Sequence, residues 1–226
     1  MAKKSNIKTT VKKEPGKAEI IQAYIDYLLK NHDDPESMYQ FAGILGIKES
    51  EIYKHFASFT AIKQTVFEGF FEQTVSILEK DKLYTEYDAK NKLLSFYYIF
   101  FEILKENRSY VILVLKNESG MEPVKVLQRL RSHFITYIDN IGVETINFKN
   151  EDLDKIKQKG LKEMAWGQLL ATLKYWISDD SPDFEKTDLF IEKSLKASFE
   201  LINTQPLESI IDFTKFLFRE KLSRSN

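Results

Sequence analysis

Six side chains close together in the sequence have the types needed to grip a nucleic-acid backbone: Ser37, Lys48, Ser50, Tyr53, Lys54 and His55. Ammonium and hydroxyl groups donate to phosphate oxygens, and so do the free backbone N–H groups at a helix start, which is where Ser37 falls. A second set is of another kind. Phe96, Tyr97, Phe100, Tyr110, Leu113, Phe134, Tyr137, Trp166, Leu170 and Trp176 are expected to line a pocket for a small apolar ligand, because such sites are mostly apolar with a few polar anchors. Each aromatic alone reads as an ordinary core residue before a pocket residue, and the set argues for a pocket more than any member does.

Catalytic and metal chemistry find no support. The eight glycines are scattered and form no phosphate loop, and neither GxSxG nor HExxH occurs. There are no cysteines, which excludes disulfides, thiolate metal sites and cysteine nucleophiles. The histidines are His32, His55 and His133, and the consecutive His32-Asp33-Asp34 does not converge readily on one ion. No catalytic residue, metal ligand or cofactor is assigned, and an enzyme is not expected.

The elements that position the first set lie between Pro35 and Ile62. Ser37 is a good N-cap, and Phe41, Ala42 and Leu45 follow on one helical face. Gly46 supplies the left-handed residue that ends the helix, and Ile47 packs the turn. A second short helix is predicted from about Glu49 to His55, with Ile52 and Phe56 pointing inward. Ser58 then caps a longer helix. Helix, glycine-bearing turn and helix form a helix-turn-helix, whose second helix can lie in the DNA major groove.

The rest of the chain reads as helix. Hydrophobic residues make up 43% and breakers are few, with 8 glycines and 5 prolines in 226 residues, so a sizeable core and an all-α class follow. Helices are predicted at about 17–31, 58–80, 88–107, 110–115, 123–140, 151–178, 182–203 and 207–222. The stretch from Ser95 to Phe101 is apolar nearly all round and is expected to be buried on several sides. Net charge is −1, but residues 1–17 hold six lysines against Glu14 alone. Such an arm can follow a DNA backbone or remain a solvated tail. No run of 18 apolar residues and no signal-peptide core occurs, so a soluble cytoplasmic protein is expected.

At Ser37, Phe41-Ala42, Gly46-Ile47 and Ile52-Tyr53-Lys54-His55-Phe56 the sequence resembles the TetR family of bacterial transcriptional regulators. The resemblance implies an all-α fold with an N-terminal three-helix helix-turn-helix domain and a larger helical domain that binds ligand and dimerises. On that pattern, residues 1–14 are a basic disordered arm and 15–62 the DNA-binding domain. Residues 63–204 form the ligand-binding and dimerisation domain, and 205–226 an extra amphipathic helix. In the resembled proteins Tyr53 and His55 match positions facing the backbone, while Lys48 and Ser50 sit where base or phosphate contacts are made. The implied partners are a double-stranded DNA operator, a small apolar ligand and a second copy of the chain. The small residues Ala165, Gly167, Ala171 and Ala197 would let the last two long helices of that domain approach their copies.

Three residues depart from the family pattern. Glu49 and Glu51 stand where small, polar or basic residues are usual, and Phe59 stands for a lysine. Carboxylates near phosphates lower affinity. An alternative reading is therefore a TetR-fold protein that has left DNA and binds a lipid or protein partner, with Leu207–Leu222 offering peripheral membrane contact.

Overall fold

The computed structural model describes residues 15–117, 125–143 and 151–202. They form nine α-helices, two short 3-10 turns and no strand. The helices are α1 Lys17–Asn31, α2 Met38–Leu45, α3 Glu49–Tyr53, α4 Phe59–Leu78, α5 Ala89–Glu106, α6 Arg108–Asn117, α7 Gln128–Asn140, α8 Glu151–Ser178 and α9 Glu185–Ile202. The all-α class is as the composition implies. The arm 1–14 and the helix expected at 207–222 lie outside the described residues. The chain divides into two compact units. One comprises the residues up to Phe67 together with Asn107–Leu127, and the other Glu68–Glu106 with everything from Gln128 onward.

In the first unit the apolar positions of α1 recur at helical spacing, and Ile20, Tyr24 and Leu28 are buried. His32 ends α1 in the left-handed region at φ 61°, its N–H bonded to the Leu28 carbonyl. The helix-turn-helix is seated by an aromatic trio. Phe59 stacks on Tyr24 at 5.6 Å and meets Phe41 edge-on at 5.9 Å, while Tyr24 and Phe41 meet at 6.0 Å. Contacts of this kind contribute about 1 kcal/mol each beyond the area they bury. They tie α1, α2 and α4 together, and they explain what a phenylalanine does at a position where the resembled family carries lysine. Beside them, Lys63 is nearly buried and its Nζ lies 2.9 Å from Asp34 Oδ2. The Tyr24 hydroxyl donates to the other oxygen of the same carboxylate. α6 belongs to this unit too, packed on α1, with Tyr110 6.3 Å from Phe67.

The second unit is built on α5. Leu93, Phe96, Tyr97, Phe100, Phe101, Ile103 and Leu104 are all buried, as the all-round apolar stretch requires. α7 packs on α8, and α9 packs on both α5 and α8. Phe96 is the centre of the core, with ring centroids of Phe71, Phe100, Phe134 and Tyr137 between 4.9 and 5.5 Å away. The turn into α9 differs from expectation. Pro182 was expected to begin a continuous helix, but Pro182–Phe184 is a 3-10 turn and α9 starts at Glu185. The cause is Asp179. Its carboxylate accepts from the Ser181 N–H and hydroxyl and from the Thr187 N–H and hydroxyl, at 2.6 to 2.9 Å. Drawing those groups onto one carboxylate folds the turn back, and Asp183 and Phe184 take φ of 55° and 62°, a region that non-glycine residues enter at a cost of about 1–2 kcal/mol.

Candidate functional site

The helix-turn-helix forms as its residues dictate. The Ser37 hydroxyl accepts from the Gln40 N–H at 3.1 Å, and Gly46, at φ 66°, closes α2 with its N–H on the Gly43 carbonyl. Phe41, Ala42, Ile52 and Phe56 are buried beneath it. Ser37, Lys48, Ser50, Tyr53, Lys54 and His55 are all exposed, so the six candidate DNA contacts share the solvent side of this element. The acids lie among them and are already engaged. Glu49 accepts from the Tyr53 hydroxyl at 2.9 Å, and Glu51 pairs with Lys54. The bond to Glu49, together with its charge, holds the Tyr53 phenol above its ordinary range.

The candidate ligand residues are divided between the units. Tyr110 and Leu113 lie on α6 in the first unit. The other eight lie in the second, where Phe96, Tyr97, Phe100, Phe134, Tyr137, Trp166 and Trp176 are buried. Phe134 meets Trp166 at 6.3 Å, and Trp176 meets Phe101 at 5.9 Å. They pack on one another because rings of this size fill a four-helix interior. One hydroxyl in these sets, that of Tyr110, is buried with no hydrogen-bond partner among the described residues.

A cavity of about 580 Å³ opens elsewhere in the second unit, and of the ten candidates Tyr137 alone lines it. Its walls are two helix stripes. Phe71, Val75 and Glu79 follow one face of α4 and its end, and His133, Thr136, Tyr137, Asn140 and Ile141 follow one face of α7 and its end. The stripes run parallel: Glu68 meets Arg129 and His133, and Phe71 meets His133 and Tyr137. Tyr84, Thr85 and Lys92 complete the rim. Glu68 binds Arg129 Nη1 at 3.0 Å and His133 Nε2 at 2.9 Å. Burial works against its charge, but these two bonds prevail and hold the carboxyl below its usual range. A carboxylate accepts only, so Nε2 of His133 carries the proton. The Tyr137 hydroxyl donates to the Lys92 carbonyl at 3.0 Å and lies 2.7 Å from the Tyr84 hydroxyl. Burial pushes both phenols above the ordinary range.

Composition did not reveal this cleft, although a signal was present. Polar residues recur at helical spacing on an apolar stripe, at His133, Thr136 and Asn140, and a core-facing stripe would not carry them. Size and mixed character match small-molecule sites generally. Among the described residues no group of acids and histidines is arranged to hold a metal ion.

A family model described as the tetracycline repressor-like C-terminal domain matches residues 92–217, more than half of the chain. No curated protein matches it.

Proposed function

We propose, from the premise that this chain belongs to the tetracycline repressor-like (TetR) family, that it is a cytoplasmic DNA-binding repressor whose operator affinity a small ligand modulates. The observation that carries the DNA reading is the formed helix-turn-helix. α2 and α3 are locked by buried Phe41, Ile52 and Phe56, and all six backbone-binding candidates are exposed. Dimerisation is supported by small and apolar residues left open on the last two helices. Gly167 and Ala171 of α8 and Ala197 of α9 are exposed, and Leu189 and Leu201 are each 48% exposed. A dimer would set two recognition helices on half-sites about one helical turn apart, so the operator should be roughly palindromic. The effector would occupy the cleft of the second unit and favour a conformation that no longer matches that spacing.

A second reading is favoured by one specific observation. Both acids of α3 are tied to the donors beside them, and Phe59 is packed away with Tyr24 and Phe41. Fewer cations are then free for phosphate, as in a TetR-fold protein that serves a lipid or protein partner instead. One measurement separates the two: binding of the purified protein to its own upstream region, against a scrambled duplex, over a salt series. Preference for the native duplex with a steep salt slope supports the repressor. Equal, weak binding to both duplexes rejects it in favour of the second reading.

A further inference from the structure

We infer that residues 1–14 are a second DNA contact, a lysine-rich arm that lies along the phosphate backbone beside the recognition helix and supplies most of the charge-driven affinity. This deepens the repressor reading above and rests on it. The charge balance requires a source of this kind. A protein holds duplex DNA largely by setting cations against phosphates. Outside residues 1–14 the first unit holds eight lysines and arginines against nine acids. Two of those lysines are also committed within it, Lys63 to Asp34 and Lys54 to Glu51. Residues 1–14 hold Lys3, Lys4, Lys8, Lys12 and Lys13 against Glu14 alone. The positive charge that a helix-turn-helix needs is thus placed almost wholly before its first helix.

The fold delivers this segment to the matching place. α1 begins at Lys17, and the Gly16 N–H before it donates to Glu19 Oε2 at 2.6 Å, which fixes where the chain enters. Lys17 is exposed, and its Nζ stands 5.9 Å from the centre of the Phe56 ring, a cation–π contact. Phe56 directly follows Tyr53, Lys54 and His55, three of the six candidate DNA contacts. The chain therefore enters the fold at the edge of that face. Fourteen residues reach at most about 50 Å, more than one turn of duplex at about 34 Å. The residue types then choose between backbone and bases. Residues 1–14 contain no arginine, whose planar fork suits a base edge, and a lysine acts as a point charge. Ser5, Asn6, Thr9 and Thr10 stand among the lysines, and such side chains donate to phosphate oxygens. The segment is fitted to phosphates in general rather than to one base sequence.

The test uses the full chain with Lys3→Gln, Lys4→Gln, Lys8→Gln, Lys12→Gln and Lys13→Gln together, beside a second variant in which the same five lysines are changed to arginine. Binding to the upstream duplex and to its scrambled counterpart is followed by fluorescence anisotropy over a salt series. Each phosphate neutralised contributes about 0.9 to the slope of log K against log salt. The glutamine variant should lose about 3–4 from that slope, and at about 0.1 M salt it should bind both duplexes on the order of a hundredfold more weakly. Its preference for the upstream duplex and its melting temperature should stay at the parent's values. The arginine variant should keep the parent's slope. A glutamine variant whose slope falls by less than about one overturns the inference. So does a loss confined to the upstream duplex, or an arginine variant as weak as the glutamine one. Vesicles of equal parts phosphatidylserine and phosphatidylcholine are titrated alongside, and lysine-dependent binding to them with none to DNA overturns the inference in favour of a membrane surface. The two claims separate. Equal binding to both duplexes that falls in the glutamine variant keeps the arm as a DNA contact and rejects the repressor. Preference for the upstream duplex with an unchanged slope keeps the repressor and rejects the arm, and a full chain that binds neither duplex rejects both.

Discussion

The recognition helix and the cleft treat their polar groups in opposite ways. In α3 donors and acceptors are matched with each other, Glu49 with Tyr53 and Glu51 with Lys54. In the cleft the Thr85, Thr136 and Tyr137 hydroxyls donate to backbone carbonyls instead. A charge or hydroxyl in a sequence is therefore not yet a binding group. Internal pairing decides which of the donors and acceptors in a sequence remain for a partner.

The same contrast separates residues that hold the molecule from those that face a ligand, and substitutions can expose it. Phe96→Ala should have the largest effect. It removes a fully buried ring at the centre of five others and should cost about 4 kcal/mol in urea unfolding. A loss below about 1 kcal/mol would mean that these rings enclose space after all. Asp34→Ala comes next. It takes the carboxylate from a nearly buried ammonium and from the Tyr24 hydroxyl, and a loss of about 3 kcal/mol is expected by the same measurement.

Acid should act through Asp179. Burial opposes its charge, yet its bonds to Ser181 and Thr187 lower its pKa to about 2, against an ordinary value of 3.8. Because the folded value is the lower one, the stabilisation is complete above about pH 4. It fades as pH falls toward 2, by about 2 kcal/mol in all. Asp179→Asn should be less stable at neutral pH and should lose that share of the acid dependence. A parallel shift of both curves would assign the effect to other carboxylates.

Glu51→Gln should have the smallest effect on stability, under about 0.5 kcal/mol, because the pair with Lys54 is at the surface. Its consequence is expected in DNA binding instead. Removing the carboxylate that pairs with Lys54 should steepen the salt slope by about one. An unchanged slope would show that the pairing in α3 does not limit phosphate contact.

Much of the fold is legible locally. α1 begins and ends where its apolar stripe does, and Ser37, Gly46 and Ser58 mark the edges of the helix-turn-helix because caps and left-handed turns act within a few residues. The break after Pro182 was not legible. It depends on Asp179 reaching Thr187 across a turn, and a proline that suits a helix start suits a 3-10 turn as well. The cleft lay further still from view. It exists because α4 and α7, some sixty residues apart in the chain, run side by side, and pairing Phe71 with His133 requires the tertiary fold. Eight of the ten candidate ligand residues are aromatic, and aromatic character does not distinguish a ring packed in a core from one beside a ligand.

Lys63, Asp34 and Tyr24 have an evolutionary consequence. Asp34 cannot be changed alone without taking the carboxylate from a nearly buried ammonium. A route from this pair to an apolar one that begins at Asp34 therefore passes through a poorly folded intermediate. Descendants of this sequence should keep Asp34 wherever they keep Lys63, and an aligned set of close relatives in which position 34 varies while Lys63 stays would show that the lock is dispensable.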